Sequence, residues 1–164
     1  MPESPIATKE DRDKCDAAIA AWASSAGVGE PNGTAQGVLA VESDPSISRW
    51  YIRLKGEEKD VVTIWLTIRQ RTLRHETHFM PAPETNVCET YEYLLRRNAQ
   101  LYAMRFCLGT EDAVFLVGEI PVAAVTEDEI DRIVGTALEY VDACFPAAMT
   151  LGYEGMYKRR PRRH

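Results

Sequence analysis

Residues 61–80, VVTIWLTIRQRTLRHETHFM, decide the fold of this chain because they contain two strands and the turn between them. Apolar residues occupy alternate positions in the first half, VVTIWLTIR (61–69), which is the period of a strand with one buried face. These residues are Val62, Ile64, Leu66 and Ile68. The second half, TLRHETHFM (72–80), also alternates, and two polar residues separate the halves, so we predict an antiparallel pair. Its apolar face requires helices packed over it.

Three further segments have strand character, and they extend this pair: RWYIRL (49–54), AMRFCL (103–108) and AVFLVGEI (113–120). The short polar connector KGEEKD joins the first of them to the pair, which predicts a three-stranded antiparallel meander. The turn GTED joins the other two segments and predicts a hairpin.

Three segments have helical periodicity: about 9–26, about 86–101, and a stretch from Thr126 in which Pro146 is expected to end or kink the helix. The expected apolar side of the middle helix consists of Val87, Tyr91, Leu94, Leu95, Asn98, Leu101 and Tyr102. The predicted order is therefore helix, three antiparallel strands, helix, two-strand hairpin, helix. This order is α+β and has no βαβ crossover of the kind that nucleotide-binding folds use.

Composition and length predict one soluble domain over residues 1–157. The chain has 164 residues, 45% of them hydrophobic and 27% charged, which is ordinary for a globular protein. No apolar run approaches the roughly 20 residues of a membrane span, and the N-terminus shows no secretory signal. The four cysteines are far apart and are expected to be reduced. We therefore expect a cytoplasmic location without membrane contact.

Charge is unevenly distributed along the chain. The tail KRRPRRH (158–164) carries five of the 19 basic residues, so the rest has 14 basic residues against 25 acidic ones. An acidic body repels nucleic acid, and we expect at most a weak contact between this tail and a polyanion. The tail is expected to be a disordered terminus, or to contact the protein's own acidic surface.

Two motifs resemble sites but have the wrong spacing. In HETH, His75 and His78 are three residues apart in a predicted strand, so they point to opposite faces and do not share a metal ion. The loop GVGEPNGTAQG (27–37) follows a helix rather than a strand and lacks the G-x-G-x-x-G spacing of a dinucleotide site. We expect no metal ion and no cofactor.

No nucleophile motif marks a catalytic residue. The sequence lacks G-x-S-x-G, and a dyad of Cys107 with His75 is conceivable in three dimensions but has no signal in the sequence. We therefore predict a non-enzymatic protein.

The strongest candidate site is the trio Arg96, Arg97 and Asn98. Asn98 follows Leu94 and Leu95 by four and three residues, so we place it on the inward side of the helix. A buried amide needs hydrogen-bond partners, and strand backbone or the chain entering the hairpin would supply them. Both arginines are expected to point away from that side, which favours a structural role for Asn98 over a shared ligand site.

These segments resemble the YbjN-domain family of bacteria over about residues 49–145. The most specific run is YEYLLRRNAQLYAMRF (91–106), in which the matching residues are Tyr91, Leu94, Leu95, Arg97, Asn98, Leu101, Tyr102, Met104 and Phe106. A glycine expected after Tyr102 is Ala103 here. The resemblance implies a fold like that of type III secretion chaperones, which are small acidic dimers that bind segments of partner proteins, and it supplies no catalytic residues.

Two classes of function follow from these observations. The first is a non-enzymatic chaperone-like or regulatory module that binds a protein client. The second is a small-molecule-binding or enzymatic domain with a pocket between sheet and helices. We also predict a homodimer, because Val61 and Trp65 give the other side of the sheet apolar residues that need a partner or a groove.

Overall fold

A computed structural model describes residues 4–28 and 37–161. Its helices are α1 (Lys9–Ser25), α2 (Val87–Asn98) and α3 (Glu127–Gly152). Its strands are β1 (Val38–Asp44), β2 (Arg49–Lys55), β3 (Val61–Ile68), β4 (Thr72–Met80), β5 (Arg105–Leu108) and β6 (Val114–Pro121). All neighbouring strands pair antiparallel, in the order β1-β2-β3-β4-β6-β5. The predicted α+β class is confirmed.

Strand β1 is the element that the sequence pattern did not predict. It pairs with β2 along one side and forms an edge of the sheet, with Val38 as its one buried residue. Edge strands with polar ends lack the alternation that a half-buried strand shows. The preceding predicted loop lies mostly outside the described residues, since only 27, 28 and 37 of it are described.

All three helices cover one face of the sheet. The apolar face of β3 is fully buried there at Val62, Ile64 and Leu66, as the alternation predicts. Each such side chain contributes about 1.5–3 kcal/mol when it leaves water. Helices α1 and α3 are joined at this layer by the indole nitrogen of Trp22, which donates to Asp131 at 3.1 Å.

Helix α3 does not end at Pro146, so of the two expected effects of this proline the end of the helix is wrong, while the kink stays a prediction. The helix continues to Gly152 with proline in its interior. The last turn is held by tertiary contacts, because the carbonyl of Gly152 accepts hydrogen bonds from the backbone N–H groups of Glu84 and Thr85, both at 2.9 Å. Ala148 in that turn is fully buried. This packing outweighs the one backbone hydrogen bond that proline removes.

None of the helices in residues 4–28 and 37–161 lies over the other face of the sheet, which we call the open sheet face. Trp65 lies on it, as predicted, but its ring is covered by the Arg49 guanidinium at 5.3 Å and faces Phe115 at 6.3 Å between centroids. Val117 on the same face is only 2% exposed. The apolar residues of the open sheet face are therefore largely covered by their own neighbours.

Candidate functional site

The side chain of Asn98 is bound to the edge strand β5. Its amide nitrogen donates to the carbonyl oxygen of Phe106 at 3.1 Å, and its amide oxygen accepts from the N–H of Phe106 at 2.7 Å. Because β5 is the last strand of the sheet in the described part of the chain, no described strand lies beyond it to pair with these two backbone groups. The amide of Asn98 takes the place of a neighbouring strand at that residue. Strand backbone is one of the two kinds of partner expected for Asn98 from the sequence.

The buried side of α2 differs from the predicted stripe. Thr90 and Leu94 are buried, whereas Val87 is 40%, Leu95 67% and Tyr102 72% exposed. The helix packs on α3 and on the edge of the sheet, so its inward side is narrower than the seven predicted positions. Periodicity alone could not distinguish Leu94 from Leu95, because both fit a stripe of three- and four-residue steps.

The prediction that both arginines point outward is wrong for Arg97. Arg96 is exposed and pairs with Glu92 at 2.7 Å. Arg97 is half-buried between α2 and α3, and the pKa of its guanidinium is raised, chiefly by its interaction with the Cys144 thiol. It follows Thr90 and Leu94 at helical spacing, so it belongs to the buried side. The three residues of the trio therefore have three different surroundings.

The remaining motif residues build the turn from α2 into β5. Leu101 packs against the core, while Met104 and Phe106 are buried in it. Ala103 has φ +58°, a left-handed conformation that glycine adopts without strain. This conformation explains why a glycine is expected at that position.

Next to this turn is an apolar depression that we call the α2–β5 groove. Its volume is about 190 Å³, and it is lined by Tyr91, Leu94, Leu95, Phe106, Cys107, Leu108 and Val114. Leu95 and Leu108 on its rim are 67% and 50% exposed. A shallow hollow lined by Cys88, Tyr91, Glu92, Leu95 and Arg96 continues from it along α2. Leu95 belongs to the apolar side of α2 that the sequence predicts, but the sequence pattern does not indicate that this residue faces solvent.

The histidines of HETH lie on opposite faces of the sheet, as the strand period predicts. His78 is on the open sheet face, edge-on to Phe115 at 5.4 Å. His75 is 1% exposed on the helix side, and neither ring nitrogen has a hydrogen-bond partner among the described residues. Burial, and next the charge of Arg132, lower the pKa of His75 to about 4. The ring is therefore neutral at physiological pH.

His75 is accommodated by the glycine opposite it in β6. A methyl group on Gly118 would lie 2.3 Å from Nε2 of His75 and 2.4 Å from the carbonyl oxygen of Ala103. Cys107 is on the open sheet face, since it pairs with Phe115, so Cys107 and His75 do not form a dyad. Among residues 4–28 and 37–161, no group of three histidine, cysteine or acidic side chains is arranged to hold a metal ion.

Charged residues gather at the turn between β2 and β3. Asp142 of α3 accepts from the N–H groups of Glu57 and Glu58, both at 3.1 Å. The partly buried ammonium of Lys59 donates to the carbonyl oxygens of His78 and Phe79 at 2.6 and 3.3 Å, where the β3–β4 pairing has ended. Burial lowers the pKa of Lys59 to about 8. These contacts fix the turn.

The basic tail reaches the same turn. Arg159 pairs with Glu58 at 2.5 Å, and Arg160 pairs with Asp60. Its last three residues, 162–164, lie outside the described part of the chain, so the expected disorder of the whole tail stays a prediction. Contact with the protein's own acidic surface, the other expectation, is present at these two arginines.

The fold and the groove define a class: a small α+β domain with one antiparallel sheet, helices on one face and an apolar groove at an edge. The chain belongs to the YbjN family, whose model, described as "Putative bacterial sensory transduction regulator", matches residues 16–149. The expected family is confirmed, and the match includes α1 from Asp16 onward.

Mycobacterial proteins are similar to this chain. An uncharacterized protein of Mycobacterium tuberculosis is 34% identical over 108 residues, which cover 66% of this chain and 59% of the relative. An uncharacterized protein of Mycobacterium leprae is 30% identical over 111 residues, covering 68% and 60%. The chain thus spans about three fifths of the length of these relatives. None of the helices in the described ranges has the length and apolar character needed to cross a bilayer.

Proposed function

We propose that this protein is a non-enzymatic regulatory module that binds another protein chain, in the manner of a chaperone, through the α2–β5 groove. The observation that carries the proposal is the exposed apolar rim of that groove, where Leu95 and Leu108 face solvent at 67% and 50%. Contiguous exposed apolar residues beside a groove are typical of protein-binding surfaces.

The open shape of the groove supports a protein partner over a small molecule. The groove is a depression at the edge of the sheet that continues into a shallow hollow along α2, whereas sites for drug-sized ligands bury most of the ligand's surface. Its lining is mostly apolar side chain, and the hydroxyl of Tyr91 and the thiol of Cys107 are its polar groups. Such a groove accepts apolar side chains that a partner inserts. The description of the family as a regulator agrees with a binding role, which needs no catalytic residues.

A photo-crosslinking amino acid at position 108 tests the proposal in a lysate of the native host. We expect crosslinks to protein chains from this position, and we expect Leu95→Asp to abolish them because a carboxylate would be buried in the groove. The matched control carries the crosslinker at Leu39, which is 45% exposed on the opposite edge strand. Equal crosslinking from both positions, or retention of a metabolite that Leu95→Asp releases, would contradict a protein-binding groove.

A further inference from the structure

We propose that the open sheet face binds single-stranded nucleic acid along β2, at a site separate from the α2–β5 groove. Alternate residues of β2 share this face, and we call their row the β2 stripe: Arg49, Tyr51, Arg53 and Lys55. Arg53 and Lys55 are exposed, and the other two are partly exposed. The residues between them, Ile52 and Leu54, are buried on the helix side.

The three cations of the β2 stripe are open to an anionic ligand. None of them forms an ion pair with a carboxylate in residues 4–28 and 37–161. Arg49 donates instead to the hydroxyl oxygen of Thr67 at 2.9 Å, and its guanidinium lies 5.3 Å from the ring centroid of Trp65. By contrast, Arg74 farther across the same face pairs with Glu119 at 3.1 Å. Three positive charges without a carboxylate partner thus follow one strand.

The net charge of −6 does not prevent an anionic ligand from binding at this place. Neighbouring members of the stripe are about 7 Å apart along the strand, and the stripe is about 20 Å long. At physiological ionic strength, exposed charges more than about 8 Å away are largely screened. A ligand on β2 therefore meets mainly the stripe and its immediate neighbours. We expected little nucleic-acid binding from the net charge of the body, which does not describe this local excess of positive charge.

The surroundings of the β2 stripe favour a single anionic chain over a broad anionic surface. On one side, Glu42 and Asp44 of β1 lie opposite Tyr51 and Arg49. On the other side, the neighbours in β3 are neutral, and they are Thr63, Trp65 and Thr67. A membrane surface or a duplex that covers the stripe would also cover both carboxylates of β1, which repel its phosphate groups. A single strand lying over β2 and β3 avoids them.

The aromatic residues beside the cations favour a nucleic acid over an acidic peptide. Tyr51 lies between Arg49 and Arg53 in the stripe and directly opposite Trp65 of β3. Proteins that bind single strands combine cations, which contact phosphates, with aromatic side chains on which bases stack. Some RNA-binding domains place such residues on the exposed face of a sheet. Because the guanidinium of Arg49 already covers Trp65, Tyr51 is the ring that a base would stack on.

Fluorescence anisotropy with a labelled oligouridylate of about 10 nucleotides tests this inference with the full chain. We expect the parent to bind it with an affinity that falls as salt is raised. Arg53→Glu is expected to weaken binding about tenfold, because it reverses a charge in the middle of the stripe. Arg12→Glu is the matched control, since it makes the same change at an exposed arginine of α1 on the helix side. The control is expected to bind as the parent does, and circular dichroism checks that each variant is folded.

Tyr51→Leu tests the stacking contact, because it keeps an apolar residue in the strand and removes the aromatic ring. We expect it to weaken oligouridylate binding about tenfold and to leave binding to heparin, which has no bases, unchanged. A parent that does not bind the oligonucleotide at low salt would overturn the inference. Equal weakening by Arg53→Glu and Arg12→Glu would do the same. If polyglutamate displaces the oligonucleotide as well as unlabelled oligouridylate does, and Tyr51→Leu binds like the parent, the ligand is an acidic peptide and the assignment to nucleic acid is wrong.

Discussion

The side-chain amide of Asn98 and the backbone of Phe106 form a reciprocal pair of hydrogen bonds at the edge of the sheet, at 3.1 and 2.7 Å. An amide side chain has the same donor and acceptor as a peptide unit, so Asn98 closes the edge as a further strand would. The pair also fixes the C-terminal end of α2 to β5, which positions the α2–β5 groove between them.

Asn98→Ala is expected to lower the free energy of unfolding by about 1–3 kcal/mol, because both Phe106 groups lose their partner. Asn98→Asp is the matched variant, since it keeps the acceptor for the N–H of Phe106 and loses the donor to its carbonyl oxygen. We expect its loss to be intermediate at neutral pH. Denaturant melts of the three proteins measure both effects. An Asn98→Ala protein that melts with the parent would mean that the amide has a role other than a structural one.

Arg97→Ala is expected to cost about 1–2 kcal/mol of stability, because its half-buried side chain packs between α2 and α3 beside Cys144. Arg96→Ala is the control one residue away. Its side chain is 78% exposed, so the loss should stay below about 0.5 kcal/mol. Urea melts measure both variants. Equal losses would show that Arg97 is as free of tertiary contact as its neighbour.

The different surroundings of Arg96 and Arg97 could not be predicted from the sequence, although most of the strands could. Strands β3 and β4 were predicted to within one residue because alternation continues over their whole length. The side of α2 that faces inward depends on how the helix is rotated against α3, and a stripe containing both Leu94 and Leu95 does not determine that rotation. The α2–β5 groove could not be predicted either, because it requires the distance between two elements that the sequence does not give.

The stability of the fold is expected to fall as pH decreases from about 6.5 to about 4, in part because of His75. Its pKa is about 4 in the folded protein and about 6.5 in the unfolded chain, so the unfolded chain binds the extra proton in this range. The charges that act on the ring are Arg132 and Glu129 of α3 and, from the opposite face of the sheet, Arg74 and Glu119. The expected loss attributable to His75 is up to about 3 kcal/mol.

The His75 contribution is measured as the difference between parent and His75→Leu in urea melts across this pH range. The variant keeps the carboxylates that also titrate, so subtraction isolates the histidine. We expect the variant to lose less stability on acidification than the parent. If the free energies of unfolding of the parent and of His75→Leu change with pH by the same amount, the imidazole is protonated in the folded protein as readily as in the unfolded chain.

Ala103→Gly is expected to stabilise the fold by about 0.5–1 kcal/mol. The left-handed conformation at φ +58° costs a residue with a Cβ atom about 1–2 kcal/mol, and glycine avoids this cost. Part of the resulting gain in stability is lost, because glycine has a larger conformational entropy in the unfolded chain. Ala99→Gly is the matched control, because Ala99 has φ −65° and gains nothing from glycine. Thermal melts should show a higher Tm for the first variant and a lower one for the second. A lower Tm for Ala103→Gly would indicate that the methyl group makes packing contacts that outweigh the strain.

Deleting residues 158–164 is expected to leave the fold intact and to remove binding to heparin at low salt. The deletion breaks the exposed pair of Arg160 with Asp60, which contributes less than about 1 kcal/mol. It also breaks the pair of Arg159 with Glu58, whose side chain is 10% exposed, so we expect a modest loss of stability in a protein that still folds. Neutralising Glu58 and Asp60 together, as Glu58→Gln and Asp60→Asn, frees the same arginines without removing them. That variant is expected to bind heparin more tightly than the parent, with salt-dependent affinity, because the acidic turn no longer competes for the tail. A fall of several degrees in Tm on truncation would show instead that the tail is a structural part of the domain, and equal heparin binding by all three proteins would exclude the tail as the binding segment.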